Sequence, residues 1–220
     1  HIPSHSFPTR RSSDLAKFNF DLFKEHIAKA MHLMDDIIDL ELEKVNLIIS
    51  KIESDPEDQD VRRVELELWK KIKDMALKGR RTGLGITAEG DMLAALGLRY
   101  GSEEAIDFAV EVHKTLAVEA YRASVMMAKD RGAFGVFNFE KEQGNPMVGR
   151  ILEAAPELRE LMQQYGRRNI AMLTIAPTGT TSLMSQTTSG IEPVFRPVYK
   201  RRRKINPSDK GKTPDCIDNM

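Results

Sequence analysis

Nine apolar residues, Phe23, Ile27, Met31, Met34, Ile38, Leu42, Val45, Ile49 and Ile52, recur at steps of three and four along one uninterrupted segment. That spacing places them on a single stripe of one long helix, and a stripe of that length must be covered by something. Asn19 is placed to cap the start, and Ser54-Asp55-Pro56 is the stop. The next helix should be capped by Asp55, with Pro56 in its first position and Glu57 and Asp58 at its positive end. Its stripe is Val61, Val64, Leu68, Ile72 and Met75, and Gly79 ends it. The two helices are expected to pair antiparallel.

The remainder alternates short extended runs with helices. Arg81 to Ile86 contains two glycines and reads as extended, and Thr87 is expected to cap a helix over 88–96 that Gly97 ends. Ser102 should cap a long helix rich in alanine, with Glu103 and Glu104 in its first turn and Gly132 beyond its end. The many alanines on that helix predict close packing. Residues 132–144 read as a loop carrying Phe134, Phe137 and Phe139, and a helix is expected over 157–165. Ile170 to Ala176 is a continuous apolar run of strand length, the pattern of a strand buried on both faces.

Composition limits what such a chain can do. Lys and Arg number 33 and Asp and Glu number 33 among 220 residues, so the net charge is zero. A dedicated nucleic-acid or membrane-surface protein carries a basic excess. No apolar run reaches the roughly 20 residues that span a bilayer. The only cysteine, Cys216, cannot form an internal disulfide, a thiolate cluster or a redox pair. Residues 1–15, HIPSHSFPTRRSSDL, hold two prolines and four serines, lack any apolar period and lack the apolar core of a secretory signal. They resemble translated adapter sequence, or else a disordered terminus, and are set apart from the domain expected over 16–220.

Immediately after the buried strand pattern comes Pro177-Thr178-Gly179-Thr180-Thr181-Ser182, followed by Ser185, Thr187, Thr188, Ser189 and Gly190. A strand, a turn of small hydroxyl residues around a glycine and a helix start form a phosphate cradle in α/β proteins. Glycine lets the backbone approach, and free N–H groups and hydroxyls donate. No Lys follows the glycine, so this is not a Walker loop, and many Thr-Gly-Thr runs are plain helix caps.

The run TIAPTGTTS followed by SGIEPVF resembles the substrate-phosphate loop of ribonucleotide reductase large subunits. GRRTGLGITAEGDMLAALGLRYGSEEA, KDRGAFGVFNF, YGRRNIAMLTIAPTGT and VYKRRRKIN resemble further segments of that family in the same order, over more than nine tenths of the chain. IEPVF and the basic segment after it are most similar to the adenosylcobalamin-dependent class II branch, with class I as the alternative. The resemblance implies a helix-rich portion of a ten-stranded α/β barrel, an α/β fold. It implies a cytoplasmic enzyme, a possible homodimer, that reduces ribonucleoside di- or triphosphates to deoxyribonucleotides for DNA synthesis with a dithiol reductant. It assigns substrate phosphate to Thr178, Gly179, Thr180, Thr181 and Ser182. The family's radical cysteine and reducing cysteine pair lie upstream of Leu15 in its order. The chain is therefore expected to be a piece that holds part of the nucleotide site, carries no catalytic residue or metal ligand, and cannot perform the reaction. A non-catalytic nucleotide- or phosphate-binding module using the same loop is the other reading, and a helical interaction domain is a third.

Other polar residues have plainer readings. Arg80 and Arg81 are expected to be helix C-terminal cations. Asp35, Asp36 and Asp39 should face solvent rather than bind a cation, and His26, His32 and His113 should be partly buried helix residues. The basic run Arg201-Arg202-Arg203-Lys204 lies in a stretch, 196–212, with eight Lys or Arg and one Asp, and reads as a solvated or contact face rather than a nucleic-acid site. Phe134, Phe137 and Phe139 are expected to anchor the core, and Cys216 to be a bystander.

Overall fold

A computed structural model describes residues 16–196, 198–202 and 215–219. The expected leader 1–15 lies outside these residues, as do Arg203 and Lys204. The elements are α1 (Phe20–Ser54), α2 (Gln59–Gly79), α3 (Glu89–Ala95), α4 (Glu103–Arg131), α5 (Phe139–Gln143), α6 (Pro146–Ala154), α7 (Leu158–Tyr165), α8 (Gly179–Ser185), β1 (Val198–Arg202) and β2 (Asp215–Asn219).

Helix α1 begins where the sequence places it: Asn19 Oδ1 accepts from the Leu22 N–H at 3.0 Å. Of its nine stripe residues, Ile27, Met31, Ile38, Leu42, Val45 and Ile52 are buried and the others half-buried. The cap of α2 is Asp58, which accepts from Asp60 N–H at 2.8 Å, and not Asp55. Asp55 instead accepts weakly from Glu57 N–H within the connecting turn. The stripe read for α2 also points the wrong way. Val61, Val64, Leu68 and Met75 are exposed, while Leu66, Trp69, Ile72 and Ala76 are half-buried. Both sides of α2 are apolar and share Ile72, so periodicity alone cannot say which side meets α1.

Helix α4 is the centre of the core. Ser102 caps it, accepting from Ala105 N–H at 3.3 Å. Ala117, Ala120, Ala123 and Ala128 are buried along it, and small side chains let the backbones of α1, α6 and α7 come close. Ile27 and Met31 of α1, Leu116, Tyr121 and Met127 of α4, Val148 and Ile151 of α6, and Leu158 and Met162 of α7 form one cluster. Phe18 packs edge-on against Phe20, Phe23 and Phe108 and ties the start of α1 to α4. The segment read as a loop, 132–144, contains α5, and α6 follows it. Asn138 and Asn145 cap these helices, and Pro146 sits in the first turn of α6.

The expected ten-stranded α/β barrel is not what the described residues form. Helices dominate, and the only ladder among the described residues is the antiparallel pair β1–β2, which sets Arg201 opposite Cys216. The run 170–176 lies beside 79–84: Ile170 N–H donates to Gly79 O, Thr82 N–H to Ala171 O at 2.9 Å, Leu84 N–H to Met172 O at 2.7 Å and Thr174 N–H to Leu84 O. One pair, Leu84 and Leu173, makes a parallel bridge, and the pairing extends no further. Nor is the run buried on both faces. Met172 is buried, whereas Thr174 and Ile175 are exposed. A strand covered on both faces needs a neighbour at each edge and a layer on each side. Among the described residues this run has one neighbour and a core on one side.

Candidate functional site

The extended run delivers the chain into a turn at Thr178, a non-glycine residue in the left-handed region with φ 50° and ψ 26°. A β-branched residue pays for that conformation with local strain, so surrounding contacts must hold it there. Gly190 N–H donates to Thr178 Oγ1 at 2.7 Å, and Thr178 Oγ1 is 2.9 Å from Thr87 Oγ1. Helix α8 starts at the next residue with no side-chain cap. Its first intrahelical bond is from Ser182 N–H to Thr178 O at 2.8 Å, which leaves the N–H groups of Gly179, Thr180 and Thr181 at the open end.

The five expected phosphate residues are therefore together, but their hydroxyls are not equivalent. Ser182 is buried and donates to Gly179 O at 2.9 Å. Thr178 is engaged with Thr87 and Gly190. Thr180 and Thr181 are exposed, and their hydroxyls make no side-chain hydrogen bond. A Cβ added at Gly179 would meet nothing within 4 Å. The site thus presents three backbone donors, two uncommitted hydroxyls and open space where a side chain would otherwise stand.

Beneath this turn lies a set of contacts that the sequence did not reveal. Thr87 does not cap α3. The start of α3 is capped by 188–190: Ala88 N–H donates to Thr188 O at 3.1 Å, Glu89 N–H to Gly190 O, and Asp91 N–H to Thr188 Oγ1 at 3.2 Å. Asp91 Oδ2 accepts from Thr188 N–H in return at 2.9 Å. Freed from capping, Thr87 Oγ1 donates to Thr188 O, accepts from Gly190 N–H and meets Thr178. Sequence marks 185–190 as a small-residue run but gives no sign of which hydroxyl turns toward α3.

The remaining candidates sort differently. Asp35 is fully buried, against the expectation of a solvent-facing residue. Its carboxylate accepts from Arg80 Nε at 2.8 Å, from Arg131 and Arg168 at 3.2 Å each, and from Asn169 Nδ2 at 3.0 Å. Burial pushes its pKa up, but the hydrogen bonds from Arg80 and Arg168 outweigh that and hold it below the ordinary aspartate value. Carboxylate oxygens of Asp35, Asp36 and Asp39 lie within 4.8 Å of one another, and arginines occupy the space a cation would take. Arg80 is at the C-terminal end of α2 as expected, and its side chain is a buried ion-pair partner. His26 and His32 are exposed, and His113 Nε2 is 2.8 Å from Glu89 Oε2. Phe134 is buried, and Phe137 and Phe139 pack against the core as expected. Buried Arg167 lies over the Phe134 and Tyr121 rings and grips Glu142 with two bonds of 2.8 Å to its oxygens. Glu192 is exposed. No helix among the described residues is long and apolar enough to cross a membrane.

Comparison with known proteins gives one family. Residues 8–209 match the family model described as ribonucleotide reductase, barrel domain. A vitamin B12-dependent ribonucleoside-diphosphate reductase of Mycobacterium tuberculosis is 34% identical over 142 residues, 64% of this chain and 18% of that protein. A protein of the same description from Thermoplasma acidophilum is 28% identical over 210 residues, 91% of this chain and 22% of that protein. A ribonucleoside-diphosphate reductase subunit alpha of Chlamydia pneumoniae is 26% identical over 202 residues, 83% of this chain and 17% of that protein. The chain spans less than a quarter of the length of these relatives.

Proposed function

Because this chain belongs to the ribonucleotide reductase barrel-domain family, we propose that it holds the phosphate end of a ribonucleotide during reduction to the deoxyribonucleotide. Residues 16–220 are then one portion of the catalytic domain of a larger subunit. The substrate is a ribonucleoside diphosphate, the substrate class in the names of the relatives, and its phosphates lie against Thr178, Gly179, Thr180, Thr181 and Ser182. The observation that carries this reading is the start of α8, where the N–H groups of Gly179, Thr180 and Thr181 are free of intrahelical bonds, the Thr180 and Thr181 hydroxyls are exposed, and a Cβ at Gly179 would meet nothing within 4 Å. Donors fixed by the fold cost no reorganisation when the anion arrives.

Adenosylcobalamin is proposed as the cofactor of the complete enzyme, since the B12-dependent reductase of Mycobacterium tuberculosis matches at 34% identity and alpha subunits at 24–28%. It would supply the radical. The described residues do not themselves fit a corrin. The groove between α1 and α2 is lined by Ile38, Glu41, Lys71, Ile72, Met75, Ala76 and Arg81, and the hollow beside α3 is largely apolar. The residues described here bind and orient the nucleotide, and the radical and the reducing electrons from a dithiol come from elsewhere in the enzyme. The cytoplasm as location and a homodimer as assembly belong to the same reading.

The test is Thr180→Val in the complete enzyme. Losing one hydroxyl donor to a charged group costs about 1–3 kcal/mol, which is about a tenfold to hundredfold loss in substrate affinity. An unchanged Kd with a lowered Tm would make Thr180 a local structural residue and overturn the reading.

A further inference from the structure

We infer that Thr87 is a positioning residue for the phosphate turn, and that it acts through the hydroxyl of Thr178. The inference rests on the proposed phosphate reading of residues 178–182 and deepens it. Its ground is the set of contacts that tie the two hydroxyls to each other and to 188–190. Thr87 Oγ1 is 2.9 Å from Thr178 Oγ1 and 3.2 Å from Thr188 O. Gly190 N–H donates to Thr178 Oγ1 at 2.7 Å and to Thr87 Oγ1 at 3.2 Å.

The pair does mechanical work. Thr178 sits in a left-handed conformation that a branched residue avoids, and its hydroxyl is the handle by which Thr87 and Gly190 keep it there. That conformation aims the N–H groups of Gly179, Thr180 and Thr181. Thr87 is in turn fixed to 188–190, and that segment is locked to α3 by the reciprocal Asp91–Thr188 bonds of 2.9 and 3.2 Å. The extended run that ends at Thr87 is also hydrogen-bonded along the run that ends at Thr178. The phosphate donors are therefore aimed by two segments that are 91 residues apart in sequence. Small errors in such aim are costly to binding.

The test is a double-mutant cycle in the complete enzyme, read as nucleotide KM, kcat at saturating nucleotide and Kd for inorganic pyrophosphate. Thr87→Val should raise KM and weaken pyrophosphate about tenfold, with kcat kept within about threefold, and Thr87→Ser should restore both. Thr87→Val combined with Thr178→Val should lose no more than Thr178→Val alone, because each substitution breaks the same contact. A double variant worse by the product of the two single losses would show that Thr87 does not act through Thr178 and overturn the inference. So would Thr87→Val with a lowered Tm and unchanged KM. If Thr180→Val and Gly179→Ala weaken pyrophosphate and Thr87→Val does not, the clamp is wrong and the phosphate site stands. If none of the three weakens it, the phosphate reading fails and this inference fails with it.

Discussion

The guanidinium of Arg80 donates through Nε to Asp35 Oδ1 at 2.8 Å, and both side chains are buried. Arg80 also donates from Nη2 to the Asp35 carbonyl at 3.0 Å and from Nη1 to Asp39 at 2.8 Å. It occupies the left-handed C-cap of α2, so a conformation that ends one helix aims its side chain into another. Asn169 adds a bond to Asp35 and one to the Arg80 carbonyl at 3.1 Å. One carboxylate thus joins α1, the end of α2, the end of α4 through Arg131, and the start of the run that leads to Thr178.

Removing that carboxylate takes away one of Arg80's three side-chain hydrogen bonds and its one fully buried counter-charge. Breaking a buried pair from one side costs about 3–5 kcal/mol, far more than an exposed pair. Asp35→Ala in the complete enzyme should therefore lower Tm sharply. Asp36→Ala, at the exposed rim of the same cluster, should cost about 1 kcal/mol or less. Equal shifts for the two variants would show that Asp35 is not the hub.

The same carboxylate sets a pH dependence. Its folded pKa lies below the ordinary aspartate value. Its stabilisation is therefore complete above the unfolded pKa, about 3.9, and fades as pH falls through the lower folded value. The Tm gap between the wild-type enzyme and Asp35→Asn should be constant from pH 5 to 7 and shrink below about pH 4. A gap that instead narrows as pH rises from 6 to 8 would assign the dependence to some other group.

Expressed alone, the 220-residue chain should associate. Ile175, Leu183 and Met184 are 65%, 71% and 83% exposed around the turn at Thr178, and Val61, Val64, Leu68 and Met75 form an exposed stripe on α2. Apolar surface on that scale is unusual in a monomer. Size-exclusion chromatography should give aggregates or oligomers. A monodisperse monomer that melts cooperatively would refute the expectation.

The sequence reveals helices where the period is long and the cap chemistry local, as with Asn19 and Ser102. It misleads where both sides of a helix are apolar, as in α2, because burial then depends on a partner that the pattern does not name. Helices α5 and α6 were legible from Asn138 and from Asn145-Pro146, short caps hidden beside aromatic residues that read as a loop. The barrel expectation came from resemblance and from one apolar run. Hydrogen bonding extends from that run to a single neighbour, so the described residues form no such sheet. The turn at 178–182 was visible as a run of residue types. The division of labour among its hydroxyls was not, because it depends on Thr87, Thr188 and Gly190, and no local rule pairs residues that far apart.

Two glycines separate folding from binding at this site. A Cβ at Gly90 would stand 2.7 Å from the Glu192 carbonyl oxygen and 2.7 Å from the Pro193 Cα, both backbone atoms that cannot swing aside. Gly90→Ala should push the 190–193 segment off α3, disturb the neighbouring Glu89–Gly190 bond and lower Tm. A Cβ at Gly179 meets nothing within 4 Å, and Gly179 is not in the left-handed region. Gly179→Ala should leave Tm unchanged or slightly raised, since alanine restricts the unfolded chain more than glycine does. If the phosphate occupies the space beside Gly179, the same methyl group blocks it, and substrate Kd should rise about tenfold or more while the protein stays folded. Gly179→Val extends the block with a branched side chain and should lose more. Measuring Tm and Kd on all three variants gives opposite patterns for the two positions. Gly179→Ala with native Tm and native Kd would place the phosphate elsewhere.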